Sequence, residues 1–398
     1  MLRPQPIGIF PMPANFLLLP ENWQDSVDYQ NTLQGIFPKE DSFFKFAIEG
    51  EQERALAELT DDLPGTKFNR FILNTSPELY HQLTQELTGN HRKLLDVAAF
   101  TLNYIPAPPT VENLDGELLA FVLMVQASHK IELREIESAI NLLVEAAETA
   151  KPVSPILYGQ VLTSLAEIKH QFWGANADVI QTYKTALDTL KKSELESNKA
   201  SLNMNLGICY QEISGGNRGA LLEAVKCYQE ALKFFTREQF PEEFAFAQNN
   251  LALAYLSIPT IEASDQLRVA IAIQALRESL KVYKKETHGE LWASTQLNLA
   301  NALQYAPTSH VQENLEESVQ IYEEILEIRR PTENPIGYAR LLANQGNALA
   351  HLGIFEHALP KLNEAMKIFN QIGDTDSANS IKEILDEIEA NKTLAASS

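Results

Sequence analysis

Four stretches, "ASLNMNLGICY" (200–210), "AFAQNNLALAY" (245–255), "ASTQLNLANAL" (293–303) and "ARLLANQGNAL" (339–349), align without a gap. Each opens on Ala (200, 245, 293, 339) and places Asn five residues on, at Asn205, Asn250, Asn298 and Asn344. A small residue follows two later (Gly207, Ala252, Ala300, Gly346), and Tyr210, Tyr255, Leu303 or Leu349 three after that. Gly in a helix interior costs roughly 1 kcal/mol relative to Ala, and Asn competes there for backbone hydrogen bonds. One such defect is an accident. Four at the same place, 45, 48 and 46 residues apart, are a design.

A second helical pattern follows each block, with a small–large–small signature at offsets of four and three. It reads Ala224/Tyr228/Ala231, Ala272/Leu276/Ser279, Ser318/Tyr322/Ile325 and Ala358/Leu362/Ala365. Those offsets put the three side chains on one helix face. Two fainter copies precede: Ala166 with Val179/Tyr183/Ala186, and Ala127 with Ala139/Leu143/Ala146. About six helix pairs are therefore expected between 115 and 372, with "DSANSIKEILDEIEAN" (376–391) as a closing amphipathic helix.

This pattern resembles the tetratricopeptide repeat (TPR) family over roughly 115–391, and the repetition carries the resemblance. The resemblance implies an all-α fold, a right-handed solenoid of antiparallel helix pairs. The period is longer than the family's usual 34 residues, as in arrays of the kinesin-light-chain and cyanobacterial type. The excess is orderly. From the last small site of a second helix to the next first-helix small site the count is 21 four times (186 to 207, 231 to 252, 279 to 300, 325 to 346). That constancy implies a shared, elongated second helix or junction. The remaining extra residues fall between the helices of three pairs, in "SGGNRG", "SIPTIEASDQ" and "YAPTSHVQEN". Gly or Ala at 207, 252, 300 and 346 is expected to let the helices of a pair approach closely. Phe244, Trp292 and Tyr338, each just before a block's Ala, are expected in the core between repeats.

In that family the first helices line a concave groove, where Asn at this position often contacts a bound peptide backbone. The resemblance thus marks Asn205, Asn250, Asn298 and Asn344 as groove residues. A carboxamide donates and accepts at once, which matches a peptide unit. Ser201, Phe246, Ser294 and Arg340 flank the row one turn before, and Ile208, Leu253, Asn301 and Asn347 one turn after. This set lacks the Lys/Arg cluster that clamps a carboxylate, so an extended or helical peptide is the expected ligand. The alternative is structural: the same asparagines bridge neighbouring first helices.

Upstream, "DSFFKFAIEGEQERALAEL" (41–59), "SPELYHQLTQEL" (76–87) and "HRKLLDVAAFTLNYI" (91–105) read as helices, and Pro106, Pro108 and Pro109 end them. The organisation expected is a Pro-rich extended arm (1–37), a helical block or cap (38–110), the repeat array (111–392) and a short tail (393–398). The arm, apolar in "IGIFPMPANFLLLP", is expected to lie against the array, even inside its groove, or to pack on the 38–105 helices.

The formal charge of −21, with no long Lys/Arg cluster, argues against nucleic acid as a partner. No apolar stretch reaches the roughly 20 residues that span a bilayer, and none reads as a signal peptide, so a cytoplasmic protein is expected. Cys209 and Cys227 are the two cysteines, with no CxxC, and are expected as free thiols facing each other or the core of one pair. There is no HExxH, GxSxG, GxxxxGK[ST] or GxGxxG. No catalytic residue, metal ligand or cofactor is expected. The reading is a non-enzymatic adaptor for a protein or peptide. The alternatives are a peptide-sensing regulator whose ligand moves the 38–110 block, and an enzyme with a site in that block.

Overall fold

In a computed structural model of the chain the described residues are 17–18, 31, 34–36, 43–48, 51–259, 266–306 and 310–397. Every regular element among them is a helix. The chain divides into two compact units, 1–213 and 214–398. In the first, five shorter helices come before the repeats: α1 (Phe43–Ile48), α2 (Gln52–Glu58), α3 (Pro64–Leu73), α4 (Pro77–Glu86) and α5 (Gly89–Thr101). Then follow α6 (Gly116–Glu132), α7 (Ile136–Ala150), α8 (Pro155–Trp173), α9 (Ala177–Leu190) and α10 (Glu196–Glu212). The second unit holds α11 (Arg218–Ala231), α12 (Pro241–Ser257), α13 (Gln266–Ser279), α14 (Gly289–Gln304) and α15 (Val311–Leu326). It ends with α16 (Pro335–His351), α17 (Phe355–Ile372) and the closing α18 (Thr375–Ser397), which runs on through the expected tail.

The boundaries follow from local chemistry. Proline begins α3, α4, α8, α12 and α16, where its fixed φ suits the first turn and its missing N–H costs nothing. Ser76, Ser154, Asn176, Asn217 and Asn334 each accept an otherwise orphaned N–H at a helix start.

Pairs pack as the two small-residue patterns require. In α7, α9, α11, α13, α15 and α17 the large members Leu143, Tyr183, Tyr228, Leu276, Tyr322 and Leu362 are all buried, as are their small partners. Gly346 on α16 faces α17 so closely that a Cβ would sit 2.7 Å from Leu362 Cγ. Where the second helix carries Ser instead of Ala, the hydroxyl finds a backbone acceptor. Ser279 Oγ donates to the Ala245 carbonyl (2.9 Å), and Ser318 Oγ has the carbonyls of Asn314 (2.7 Å) and Ala300 (3.0 Å) for its one proton. Two buried hydroxyls are thereby satisfied without added volume. Trp292 is buried, Tyr338 is half-buried against the last core cluster, and Phe244 is half-buried as well.

The constant 21-residue spacing is a junction and not a longer second helix. The carbonyls of Ala231, Ser279 and Ile325 accept from Phe235, Tyr283 and Arg329, one turn past each second helix. The carbonyls of Thr236, Lys284 and Arg330 then accept from Phe240, His288 and Asn334, which precede the next first helix. At three of the four junctions one connector, with the same hydrogen bonds, sets the spacing; at the fourth, α9 runs on to Leu190, whose carbonyl accepts from Ser193.

Two sequence expectations need amendment. The segment 64–73, not separated from its surroundings by periodicity, forms α3 with Phe68, Phe71 and Ile72 buried. The arm touches both surfaces proposed for it: Leu17 and Leu18 are buried with Asn69 of α3, and Gly35 meets the α9–α10 connector. The rest of the arm lies largely outside the described residues.

Candidate functional site

The twelve candidate residues all fall on first helices: α10, α12, α14 and α16. Ser201, Phe246, Ser294 and Arg340 are exposed, and the four asparagines of the row are half-buried, as are Ile208, Leu253, Asn301 and Asn347. A half-buried amide must direct each of its groups somewhere. Three of the four row members direct the NH2 at the preceding first helix. Asn344 Nδ2 donates to Asn301 Oδ1 (2.9 Å), Asn298 Nδ2 to Asn249 Oδ1 (3.3 Å), and Asn205 Nδ2 to Glu167 Oε1 (3.4 Å). Asn347 adds a further bridge, donating to the Tyr305 phenol at 3.3 Å. Asn250 closes on its own helix, at the Phe246 carbonyl (2.9 Å).

Glu167 and Asn301 occupy the same place in the repeat, one residue past the small site. Where that place holds Leu253, Asn298 turns instead to Asn249, one helical turn earlier. The bridge therefore depends on an acceptor at one of these two places; α10 has Ile208 and Met204 there, and Asn250 closes on its own helix.

A buried phenol orients the end of the row. Tyr322, fully buried on α15, lies 2.7 Å from Asn301 Oδ1 and 2.9 Å from Gln304. Its single proton goes to Asn301, and the Gln304 amide satisfies itself best by turning its NH2 toward the phenol oxygen. Burial pushes the Tyr322 hydroxyl well above its ordinary pKa, so it stays a donor throughout the physiological range. Asn301 Oδ1 thus accepts twice, and its NH2 is left for other use. Among the described residues Asn249 Nδ2, Asn298 Oδ1, Asn301 Nδ2 and Asn344 Oδ1 are neither bonded internally nor sealed from water. Donor, acceptor, donor, acceptor follow one another along α12, α14 and α16.

The wall of the first unit is built differently. Beside Asn205 and Glu167, His170 Nε2 pairs with Glu212 Oε2 at 3.0 Å, and Cys209 Sγ lies 3.6 Å from His170 Nδ1. Crowding by the chain strips hydration from Glu167 and raises its carboxyl pKa, against the lowering effect of the Asn205 amide. The residue keeps an exposed edge, so this desolvation has little weight in stability. Both cysteines are free thiols, and Cys209 is fully buried. Among the described residues no group of three His, Cys, Asp or Glu side chains has the geometry to hold a metal, and no helix is long and apolar enough to cross a membrane.

Sequence reading missed Asn249, Gln304, Tyr305, Tyr322, Glu167 and His170 as parts of these walls. Tyr322 and Asn249 were visible, one as the large member of its triplet and the other beside Asn250. Their hydrogen bonds were not.

No protein-family model matches the sequence, and no curated protein matches it. Solved structures do. The STAND-class signal-transduction ATPase with a tetratricopeptide repeat sensor from Pyrococcus horikoshii aligns with 86% of this chain at 15% identity and a TM-score of 0.50. The alignment spans 48% of that longer chain. BtubC (BKLC) from P. vanneervenii aligns with 64% of this chain and 92% of its own, at 17% identity and a TM-score of 0.42. A Rap protein, solved with competence and sporulation factor, aligns over 89% and 97% at 15% identity and a TM-score of 0.40. Repeated helix pairs, small-site packing and the likeness to the repeat sensor at a TM-score of 0.50 converge on one architecture: the chain folds as an α-solenoid of the tetratricopeptide repeat type.

Proposed function

We propose that the chain is a non-catalytic interaction module that holds an extended segment of a protein or peptide partner along the amide row, as an assembly or regulatory adaptor. The observation that supports this reading is the alternation of free amide groups at Asn249, Asn298, Asn301 and Asn344. A peptide backbone carries one donor and one acceptor per residue, and an uncharged alternating row matches it without demanding a particular charge. The bridging role of the same asparagines is no obstacle, because each bridge uses one half of the amide and orients the other.

The experiment is affinity capture with the full chain as bait in its native host, with identification of the retained partner by mass spectrometry. The binding of that partner is then measured by calorimetry against Asn298→Ala/Asn344→Ala. The expected result is affinity about tenfold weaker, the equivalent of 1.4 kcal/mol, with a lesser loss for Asn250→Ala. Undiminished binding by the double variant, at unchanged helicity, would remove the row from the interface.

A further inference from the structure

Asn69 is a buried amide on a helix that precedes the repeats. It lies on α3 with 3% of its surface exposed, between Phe68 and Arg70 in sequence and among the buried Phe68, Phe71 and Ile72. A carboxamide in such a place destabilises unless both its groups are bonded. Both are, and to a single residue. Leu18 N–H donates to Asn69 Oδ1 at 2.7 Å, and Asn69 Nδ2 donates to the Leu18 carbonyl at 2.8 Å.

That pairing specifies a backbone shape. The N–H and C=O of one residue point to the same side only when the chain is extended, as in the hydrogen-bonded pairs of a β-ladder. The Asn69 side chain acts as the neighbouring strand. Beside it, Leu17 and Leu18 are 0% and 5% exposed, so the cleft takes two consecutive apolar residues along with the backbone.

We propose that this cleft on α3 is a second peptide-binding site, separate from the amide row, which recognises an extended Leu–Leu step and is filled in cis by the chain's own arm. The arm has an independent attachment that would keep it tethered if the step let go. Glu194 N–H donates to the Gly35 carbonyl at 2.7 Å. Gly35 has φ +75°, and a Cβ there would fall 2.6 Å from Ser193 Cβ, so the turn is seated closely on the α9–α10 connector. Tethering gives the arm an effective concentration on the order of millimolar, which an incoming peptide must overcome.

The test uses the full chain and a fluorescent peptide with the sequence of residues 14–22 (ANFLLLPEN). With Leu17→Asp/Leu18→Asp the cleft is vacated, and the peptide is expected to bind by fluorescence anisotropy at least tenfold more tightly than to the wild-type chain. Adding Asn69→Ala to that background is expected to weaken binding about tenfold or more. A folded Leu17→Asp/Leu18→Asp chain that ignores the peptide overturns the proposal, as does binding indifferent to Asn69→Ala. If the variant does not fold, wild-type hydrogen exchange decides. Excess peptide must speed exchange of the Leu18 amide, and unchanged protection at millimolar peptide refutes a displaceable arm. A wild-type dimer that the peptide dissolves would place the bound arm in trans and overturn the cis assignment.

Discussion

The α8–α10 wall of the first unit and the α12–α14–α16 wall of the second use the same repeat positions for opposite chemistry. One residue past the small site stands Glu167 in the first and Asn301 in the second. Three residues further stand His170 and Gln304. Each of these faces the buried tyrosine of its second helix, His170 edge-on to Tyr183 with ring centroids 6.4 Å apart, and Gln304 by a hydrogen bond to Tyr322. At these two positions α8 carries titratable groups and α14 neutral amides. The scaffold brings the asparagine of one first helix to the next; the side chains decide whether a bridge forms and whether it responds to protons.

The tyrosines offer the largest test of that difference. Tyr322→Phe strips a donor from Asn301 and leaves Gln304 buried without its partner, and a loss of about 1–3 kcal/mol is expected. Tyr183→Phe removes a hydroxyl for which no hydrogen bond is found among the described residues, so its change is expected within about 0.5 kcal/mol. Urea denaturation of the full chain, followed by circular dichroism, compares them. Equal losses would dissolve the contrast.

Next come the acceptors. Asn301→Leu deprives both Tyr322 and Asn344 and is expected to cost about 1–2 kcal/mol. Glu167→Leu removes a partly desolvated carboxylate whose one hydrogen bond among the described residues is the long Asn205 bond, and is expected to be neutral or mildly stabilising. A Glu167→Leu chain less stable than Asn301→Leu would reverse the assignment.

The smallest effect concerns pH. The Glu167 carboxyl is raised in the folded chain, so it favours folding most fully below its unfolded pKa, about 4.3. That contribution is lost as pH rises through the raised folded value. Glu167→Gln should therefore flatten the fall in thermal midpoint between pH 4 and neutrality that this residue causes. A matching Asn301→Gln should leave the pH profile unaltered. His170, Glu212 and Cys209 lie beside Glu167, so the comparison must be made with those three intact.

The helix pairs were legible because their determinants are local. Small–large–small triplets recur within seven residues, and each burial they announced is observed, from Ala139/Leu143/Ala146 to Ala358/Leu362/Ala365. The row of asparagines was legible as a recurrence, and its position on first helices follows from that. Its bonding was not. Asn250 and Asn298 stand in the same register, yet one closes on its own helix and the other crosses to Asn249. The junction was visible as a constant interval that fits an elongated second helix or a connector, since counting residues does not distinguish a helical turn from two linked turns.

Periodicity, spacing and small residues by themselves determined that this chain is a stack of helix pairs, because each of those signals acts within a turn or two of helix. Tertiary structure alone decided what the polar side chains do. Asn205 reaches Glu167 across 38 residues, Asn344 reaches Asn301 across 43, and Asn69 holds Leu18 across 51. A hydrogen bond depends on distances of a few tenths of an ångström between groups far apart in the chain, and only the packed core sets distances to that tolerance.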